Sequence, residues 1–436
     1  MTNSVSARLV SSDVREHNLG VVLTHLDKVG SAGRAEIAAG TGLVRGSVTT
    51  LIADLLEIGL VRAAESDAPG SPAESTRARI GRPRARLEIA GSQLAVLGIQ
   101  FAVDEVLIYG SDLAGRMLVS AEHHVRTPIG NPEALVDLLS RFVTGAVGEL
   151  QAVGTTVIAL EVVLPGRVPT GTSLVTSSIE FGWFGVDIGR LLASRLAPFA
   201  HGITVSNDAN MAAYAEFASL QRDPSVGRVT DMIYVKSDTG IGGGAIVDGR
   251  ILHGARGAAF EPGHMIVQPD GPRCECGKDG CLVVVAGPTA VLHAAGLDDL
   301  RRDNGLPEAL NELVRRSAAN DARAVEALAD AARWFRIALS NLIVTLEPQI
   351  VVLGGYLASF AAQLTPRVES TLAILGTDRV TGAGAVRPSV NGRLGALQTA
   401  VAERRRAFLG NPMALRPLLP HSAQAKDQGS PEDSLS

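Results

Sequence analysis

The spacing of apolar residues changes near Leu87 and divides the chain into two modules. Before Leu87, apolar residues recur every three or four positions, which is the period of amphipathic helices. After Leu87, short apolar runs such as "TVIALEVVLPG" and "QIVVLGG" alternate with helical stretches. This alternation is typical of α/β lobes, in which ligands collect at the carboxyl ends of the strands. The pattern predicts a small helical N-terminal domain followed by a larger α/β module.

The N-terminal residues predict three helices and the first strand of a hairpin. The first helix covers residues 18–29, the second is capped by Ser31 and broken by Gly42, and the third begins near Arg45. Two apolar stripes are expected to be buried, namely Leu19, Val22, Leu23 and Leu26 on the first helix and Val48, Leu51, Ile52, Leu55 and Leu56 on the third. The stretch "GLVRAAESD" then predicts the strand of a wing. These elements predict a winged helix-turn-helix DNA-binding domain over residues 1–69.

The polar side of the third helix has side chains of the kind that read DNA. Arg45, Ser47, Thr49 and Thr50 supply a bidentate donor and short hydroxyl groups near the helix N-terminus. Such groups can enter the major groove and reach base edges and phosphates. Arg34, on the preceding helix, is also expected to contact DNA. The alternative is a three-helix interaction module with a solvated polar face.

A basic segment follows a stretch that is rich in Gly, Pro and Ser. The sequence "RARIGRPRAR" carries five arginines and no acidic residue. Because residues 70–86 lack apolar periodicity, they are predicted to form an Arg-rich linker. Arg82, between Gly81 and Pro83, is expected to contact a minor groove or phosphates. A solvated basic linker is the alternative.

All three cysteines of the chain lie close together in "PRCECGKDGCL". An odd number, with Cys274 and Cys276 two positions apart, disfavours a disulfide framework. Three thiolates from Cys274, Cys276 and Cys281, with His264 upstream, match a tetrahedral zinc site of three cysteines and one histidine. Four protein ligands would close that site and make the zinc structural. Buried or reactive thiols are the alternative.

Composition restricts the class of protein. Apolar residues make up 46% of the chain and aromatic residues 4%, with a formal net charge of -5, which suits aliphatic cores of mixed α/β type. The chain has no charged-then-apolar leader and no apolar run of about eighteen residues or more. We therefore expect a soluble cytoplasmic protein with no membrane partner. The polar C-terminal residues 411–436 predict a disordered tail.

The chain resembles the ROK family (repressors, open reading frames and kinases) from about Arg15 to about Ala402. The most specific part is "GARGAAFEPGHMIVQPDGPRCECGKDGCL", which is similar to the family's Glu-x-Gly-His segment and its Cys-x-Cys-Gly-x-x-Gly-Cys zinc motif. The N-terminal helices and "GRP" resemble the DNA-binding half of its repressor branch. The resemblance implies a two-lobed sugar-kinase/actin-like ATPase fold over residues 87–410. It also implies that a sugar contacts four residues, which are Asn207, Asp208, Glu261 and His264.

The decision between kinase and repressor depends on the phosphate-binding loop. The family's Asp-x-Gly-Gly-Thr motif corresponds here to "GIQFAVDEV", which lacks both glycines and the threonine, and Asp104 would repel phosphate. Asp208 resembles the kinase base, but without a phosphoryl donor it has nothing to catalyse. The sequence therefore predicts that the protein is not an enzyme. We expect a DNA-binding transcriptional regulator, a repressor, that responds to a sugar or sugar-derived effector.

Departures in the sugar pocket keep the identity of the effector open. Val283 replaces the family's acidic residue after the zinc motif, Phe260 replaces the usual glycine before Glu261, and Pro262 follows it. The asparagine expected before "GW" is missing from "SSIEFGW". The alternatives are an ATP-dependent carbohydrate kinase with a DNA-binding domain, and an effector-independent DNA-binding or scaffold protein. Because helix-turn-helix proteins normally read paired half-sites, we also expect a homodimer or homotetramer.

Overall fold

A computed structural model of the chain describes residues 11–64, 85–361 and 386–419. The N-terminal module consists of three helices and a three-stranded antiparallel sheet with the strand order β1-β3-β2. Its elements are α1 (Ser11–Val29), β1 (Ser31–Ala32), α2 (Arg34–Thr41), α3 (Arg45–Glu57), β2 (Val61–Ala63) and β3 (Leu87–Ile89). The three helices and β2 are the elements that the sequence predicts, whereas β1 and β3 are additional strands of this sheet.

The helices of this module pack through the two predicted apolar stripes, with one exception. The predicted residues of α1 and the first four of α3 are buried. Leu56, the last residue of the predicted stripe on α3, is instead 40% exposed. One residue is about 100° of helical rotation, so Leu56 is turned from buried Leu55 to the edge of the stripe. The buried faces form a core that also includes Leu60 and Val61 at the start of the wing.

The helix boundaries agree with the prediction except at the starts of α1 and α2, since α1 begins at Ser11 and not at residue 18. Gly42 ends α2 in the left-handed conformation, with φ 73°, as its position predicts. The predicted cap at Ser31 is wrong, because Ser31 belongs to β1 and α2 begins three residues later. The backbone N–H of Gly33 instead donates to the Glu36 carboxylate at 2.9 Å. The acidic residue in the first turn therefore caps the helix that Ser31 was expected to cap.

The predicted domain boundary at residue 87 is wrong, because β3 belongs to the N-terminal sheet. β2 and β3 pair antiparallel, with Val61 opposite Ile89. The Arg-rich segment therefore joins two strands of one sheet, whereas the sequence predicts a linker between domains over residues 70–86. Arg86, at the end of this segment, forms an ion pair with Glu36 at 3.0 Å and a hydrogen bond with Ser31 at 3.2 Å. Residues 65–84, which contain the other four arginines, lie outside the described residues.

The first lobe of the larger module is a mixed five-stranded sheet with helices. The strand order is β10-β7-β4-β5-β6, in which β4, β7 and β10 are parallel and β4-β5-β6 form an antiparallel meander. Its elements are β4 (Leu94–Ala102), β5 (Glu105–Asp112), β6 (Met117–His124), α4 (Pro132–Ala152), β7 (Thr156–Leu164), β8 (Leu174–Ser178), β9 (Trp183–Asp187), α5 (Ile188–Ala193) and β10 (Ile203–Asn207). The strands β8 and β9 form a separate hairpin.

The second lobe contains another five-stranded sheet, with the order β13-β12-β11-β14-β15. Its elements are α6 (Asp208–Leu220), β11 (Met232–Ser237), β12 (Ile241–Val247), β13 (Arg250–Ile251), a 3-10 helix (Pro262–His264), α7 (Leu282–Ala286), α8 (Pro288–Ala294), α9 (Asp298–Asn304), α10 (Leu306–Ala318), α11 (Ala322–Leu346), β14 (Ile350–Gly355), a 3-10 helix (Tyr356–Phe360) and β15 (Val386–Pro388). Helices α7, α8, α10 and α11 cover one face of this sheet around a core of aliphatic residues and Phe335. Two α/β lobes follow the N-terminal module, as predicted.

The C-terminal helix α12 (Gly395–Gly410) connects the N-terminal module to both lobes. It packs on β4 at Gly98, where a Cβ atom would lie 2.6 Å from the Val401 side chain. Near its other end it meets α1 so closely that a Cβ atom on Gly20 would lie 2.5 Å from the carbonyl oxygen of Gly410. Its Val401 and Phe408 belong to the same hydrophobic core as the stripes of α1 and α3. The N-terminal module therefore shares a continuous core with the first lobe.

A buried ion pair reinforces this contact between α12 and α1. Nη1 of Arg405 lies 2.6 Å from Oδ1 of Asp27 and donates to the carbonyl oxygen of Leu113 at 2.9 Å. The two charged side chains are only 7% and 14% exposed. A charge removed from water in this way needs its partner, because the desolvation of an unpaired ion is costly.

The predicted disordered tail begins too early. Residues 412–418 form a 3-10 helix after α12, and Leu415 and Leu419 are buried in the core that α1 also enters. The prediction of disorder is therefore wrong for residues 411–419, because these two leucines have apolar neighbours on α1 and α12. Residues 420–436 lie outside the described residues.

Within the described ranges, no single helix is long and apolar enough to cross a membrane. The segments Leu282–Ala294 and Asp298–Asn304 pass such a test of length and composition only as a pair, with a bend of 92° between them.

We predict that Arg405→Ala lowers the free energy of unfolding by about 3 kcal/mol, because buried Asp27 would keep only its longer contact with Arg406, at 3.7 Å. Chemical denaturation and amide hydrogen exchange in α1 measure the effect. Arg416→Ala is the control, since this arginine on the last 3-10 helix is exposed and its loss should cost no more than about 0.5 kcal/mol. Equal losses in the two variants would contradict a role for the buried pair.

Candidate functional site

A cleft between the two lobes brings together all four residues that the family resemblance assigns to a sugar. Asn207 and Asp208 lie at the junction of β10 and α6, and Glu261 and His264 lie at the 3-10 helix after β13. Strand ends of both lobes supply the other walls, including residues 177–180 at the end of β8 and residues 236 and 238–243 around the β11–β12 turn. This is the position at which α/β folds collect ligands.

Asn207 caps the N-terminus of α6. Its Oδ1 accepts from the backbone N–H of Asn210 at 2.8 Å, and its Nδ2 donates to the carbonyl oxygen of Gly166 at 2.8 Å. The side chain thus fixes the N-terminus of α6 against the loop after β7. Nδ2 also lies 3.5 Å from Oδ1 of Asp208, so the second lone pair of Oδ1 is what remains for a ligand.

Asp208, the residue that resembles a kinase base, forms an ion pair with a lysine of the same cleft. Nζ of Lys236 lies 2.6 Å from Oδ2 of Asp208 and 3.1 Å from Asp238. Burial disfavours the ammonium group, but its attraction to Asp208 and Asp238 outweighs burial and raises the pKa of Lys236. The ammonium group is therefore charged throughout the physiological pH range. It remains paired with the carboxylate of Asp208.

Glu261 is paired as well, with Arg167 of the opposite lobe. Nε of Arg167 lies 3.1 Å from Oε1 of Glu261. Burial raises the pKa of Glu261, and Arg167 opposes that rise. The contact bridges the cleft, since Arg167 follows β7 in the first lobe and Glu261 precedes the 3-10 helix in the second.

The two departures from the family that flank Glu261 pack against Gly243. Phe260 has φ 59°, in the left-handed region that favours glycine. A Cβ atom on Gly243 would lie 2.8 Å from the Phe260 ring and 2.9 Å from Pro262. The bulky pair therefore fills the space beside a residue with no side chain, and the strained backbone of Phe260 is held by this packing.

Glu180 is a residue of the cleft that sequence reasoning missed. It stands in "SSIEFGW", where only the absence of an asparagine was noted, and its side chain lines the cleft. Burial, aided by Asp208 and Asp238, raises the pKa of Glu180 to about 7, although a hydrogen bond with Thr239 opposes the rise. Its Oε1 is buried without a hydrogen-bond partner among the described residues. An acidic residue two positions after the end of a strand in an α/β lobe is a sequence signal that could have identified it.

The stretch that corresponds to the family's phosphate loop forms a tight turn. Ala102 pairs with Glu105 across β4 and β5, so Val103 and Asp104 make a two-residue hairpin loop. Asp104 is exposed at this turn, and none of these residues is among those that line the cleft. The glycines of "DTGIGGG" do line it, at Gly240, Gly242 and Gly243.

The three cysteines and His264 converge on one point beside the cleft. Their ligand atoms all lie within 4.8 Å of one another, with 3.7 Å between Cys274 Sγ and His264 Nδ1 and 3.6 Å between Cys276 Sγ and Cys281 Sγ. A tetrahedral zinc ion with bonds of about 2.0–2.3 Å requires ligand separations of about 3.5–3.8 Å. The cluster can therefore hold a metal ion, and its dimensions fit zinc.

The surroundings of His264 favour the neutral form in which it binds a metal. Burial, together with the charges of Arg167 and Lys278, lowers the pKa of His264, so the imidazole is neutral near pH 7. Nζ of Lys278 donates to the carbonyl oxygen of His264 at 2.7 Å, which fixes this backbone next to the sulfurs. At Gly280 (φ 69°) a Cβ atom would overlap the carbonyl oxygen of Gln268, so only glycine fits this turn of the loop.

The predicted DNA contacts of the N-terminal module that the structure describes are all exposed. Arg34 begins α2, and the other four lie in the first two turns of α3: Arg45, Ser47, Thr49 and Thr50. The hydroxyl groups of Thr49 and Thr50 donate to backbone carbonyls one turn earlier and retain lone pairs as acceptors. Arg82 lies outside the described residues. Val44, the N-cap of α3, is 75% exposed and was missed, although an apolar residue beside Arg45 was visible in the sequence.

The model of the ROK family matches residues 96–396, more than two thirds of the chain. The chain belongs to the ROK family. Among curated relatives, the xylose repressor of Bacillus subtilis is 23% identical over 372 residues, which cover 82% of this chain and 89% of the repressor.

Solved structures of ROK proteins show the same fold. A ROK family transcriptional regulator described as a homolog of the E. coli Mlc protein has a TM-score of 0.73 at 19% identity, covering 93% of this chain and 99% of that one. The ROK glucokinase of Streptomyces griseus, solved with glucose and AMPPNP, has a TM-score of 0.55 at 23% identity, covering 71% of this chain and 98% of the kinase. The alignment with the kinase therefore leaves a larger share of this chain unmatched than the alignment with the regulator does.

We predict that Lys236→Met destabilises the protein by about 2–4 kcal/mol at neutral pH, since buried Asp208 would be left without its cation. Combining it with Asp208→Asn should recover at least about 1 kcal/mol, because the two residues are in contact. Chemical denaturation without added sugar measures both effects, with Arg228→Met on an exposed loop as the control. The interpretation fails if Lys236→Met behaves like that control.

Proposed function

We propose that this ROK protein is a DNA-binding transcriptional repressor that responds to a sugar or sugar-derived effector. The observation that carries the proposal is the joint presence of two features. An N-terminal module exposes Arg45 and neighbouring hydroxyl groups on one helix, and a polar cleft between the lobes lacks the phosphate loop of a kinase. The N-terminal module is a winged helix-turn-helix in this proposal, with α3 as the recognition helix.

The first turns of α3 supply groups suited to both bases and backbone. Arg45 can donate two hydrogen bonds to a guanine, and the hydroxyl groups of Ser47, Thr49 and Thr50 can reach base edges or phosphates. Val44 adds an apolar contact of the type that thymine methyl groups accept. Arg34 and Arg82 would hold the backbone, Arg82 from the loop that joins β2 to β3.

Helices α6 and α12 form the physical connection between effector and DNA. The N-terminus of α6 lies in the cleft, and Met211 and Ala212 of α6 pack on Ala396, Leu397 and Ala400 of α12. At its other end α12 meets α1 through Arg405 and Asp27. A ligand that shifts the N-terminus of α6 would thereby move α1, and couplings of this kind amount to about 1–3 kcal/mol.

A carbohydrate kinase with a DNA-binding domain is the alternative, and two observations disfavour it. Val103 and Asp104 occupy the phosphate loop position as a hairpin turn, and Lys236 holds the carboxylate that a kinase would use as its base. In the proposal the protein is therefore not an enzyme. It acts as a homodimer or homotetramer, because a helix-turn-helix protein reads two half-sites most simply with two copies of its module.

We further propose that the ion held by the cysteine cluster is structural zinc. His264, Cys274, Cys276 and Cys281 would hold it, leaving no position for substrate. The ion would fold the loop between the 3-10 helix and α7. Because His264 also lines the cleft, this loop would hold one wall of the effector site in place.

The test of the proposal is operator binding by the full chain. We expect a specific DNA site whose affinity falls when a sugar-derived effector is added. Arg45→Ala should cost about 1–3 kcal/mol on that site and relax specificity at one position per half-site. Arg82→Ala should weaken specific and random DNA alike and flatten the salt dependence. Sugar-dependent ATP consumption that Asp208→Asn abolishes would instead identify a kinase.

For the metal we expect one zinc ion per chain. Cys276→Ala should lose the ion and strongly destabilise the second lobe, because metal binding at such sites contributes roughly 10 kcal/mol. Elemental analysis and thermal melting measure the two effects. Glu275→Ala, an exposed neighbour in the same loop, should retain both the metal and the stability. A fully folded wild-type preparation without zinc would refute the assignment.

A further inference from the structure

The charged groups of the cleft do not balance. Four carboxylates line the cleft, at Glu180, Asp208, Asp238 and Glu261. Two cations, Arg167 and Lys236, line it as well. Arg167 is paired with Glu261, and Lys236 is shared by Asp208 and Asp238. Among the described residues, Glu180 therefore has no cation of its own.

The unsatisfied group is one specific atom. Thr239 forms a hydrogen bond with the Glu180 carboxyl group, but Oε1 is buried and no described residue donates to it. A buried acceptor without a donor costs about 1–3 kcal/mol, and more when it is charged. Such an atom in the wall of a cleft is satisfied when a ligand supplies the donor.

Charge decides which donor fits best. The groups that face Glu180 are Thr239, the carboxylates of Asp208 and Asp238, and the ammonium group of Lys236. A neutral hydroxyl group would satisfy the hydrogen bond but leave the excess negative charge in place. A cationic N–H group would supply both the donor and the missing charge.

We propose that the effector of this protein is a polyol that carries a protonated amino group, such as a free amino sugar, and that Glu180 binds this group. The inference rests on the proposed function, since it assigns a ligand class to the same cleft. Glu180 is the specificity-determining residue, whereas the remaining polar groups of the cleft accept hydroxyl groups, as they would for any sugar. A ligand of this class would be bound in its unacylated form.

The pH dependence of binding follows from the same contact. Because burial and the neighbouring carboxylates raise the pKa of Glu180 to about 7, protonation of this carboxyl group competes with ligand binding near neutral pH. An ammonium ligand binds the ionised carboxylate and displaces this proton. Affinity should therefore fall by up to about tenfold for each pH unit below 7, and binding near pH 7 should release a proton.

The experiment is calorimetry on the full chain with matched sugars. Glucosamine, galactosamine and mannosamine are each compared with the parent hexose and with the N-acetyl derivative, in which the charge is removed. We expect one amine to bind at least tenfold more tightly than both neutral counterparts and to weaken operator binding. Titration in two buffers of different ionisation enthalpy should detect the released proton.

Two variants assign the effect to Glu180. Glu180→Gln keeps the shape and removes the charge, so it should lose at least tenfold in affinity for the amine and lose the pH dependence, while neutral sugars bind no more weakly than before. Glu180→Asn provides a second, smaller amide, and thermal melting confirms that each variant is folded. Glu122→Gln, on exposed β6, should behave like wild type.

The outcomes separate this inference from the proposed function. If a neutral hexose binds wild type more tightly than its amine and releases the operator, the amine inference is wrong and the repressor proposal stands. The inference is also wrong if Glu180→Gln binds the amine as tightly as wild type does. If no sugar binds or affects the operator, both the amine inference and the effector role of the cleft are wrong.

Discussion

The buried pairing of Arg405 with Asp27 sets the relation between the helices of the N-terminal module and the rest of the molecule. It lies where α12 crosses α1, and close packing around Gly20 and Gly410 leaves no room for either helix to slide. Because an isolated buried charge is far costlier than a paired one, the contact favours one arrangement of the two helices over others. The continuous core around it makes the N-terminal module an extension of the first lobe. Any signal from the cleft must therefore pass through packed helices and not through a flexible tether.

The cleft shows how a binding site can retain the residues of its family while changing their use. Asp208 and Glu261 keep their positions, but Lys236 and Arg167 neutralise them, and Phe260 and Pro262 fill space beside Gly243. Oδ2 of Asp208 is engaged by the Lys236 ammonium group at 2.6 Å. The same arrangement leaves Glu180 as the carboxyl group with unused hydrogen-bonding capacity. Retention of a motif thus gives little information about its chemistry until the partners of each residue are known.

Much of this architecture could be predicted from the sequence, where the deciding interactions are local. The spacing of apolar residues predicted α1 and α3 and nearly all of their buried residues. Gly42 predicted the end of α2. The metal cluster was predictable because three of its ligands lie within one short loop. The prediction failed where distant residues decide the structure. The pairing of β2 with β3, the burial of Leu415 and the ion pair of Asp208 with Lys236 all join segments that composition and periodicity treat separately. Glu180 was missed for a related reason, because its significance comes from neighbours on other elements.

The pairing of β2 with β3 also affects how this protein can diverge. The backbone N–H of Ala64 donates to the carbonyl oxygen of Arg86 at 2.9 Å. The two ends of the basic segment are therefore fixed next to each other on the sheet. A change in the length of this segment does not alter the distance between α3 and the lobes. The entropic cost of such a change is small, since doubling a loop costs only about 0.6 kcal/mol. Insertions and deletions between Ala64 and Arg86 would therefore leave the sheet and the folded frame around it unchanged.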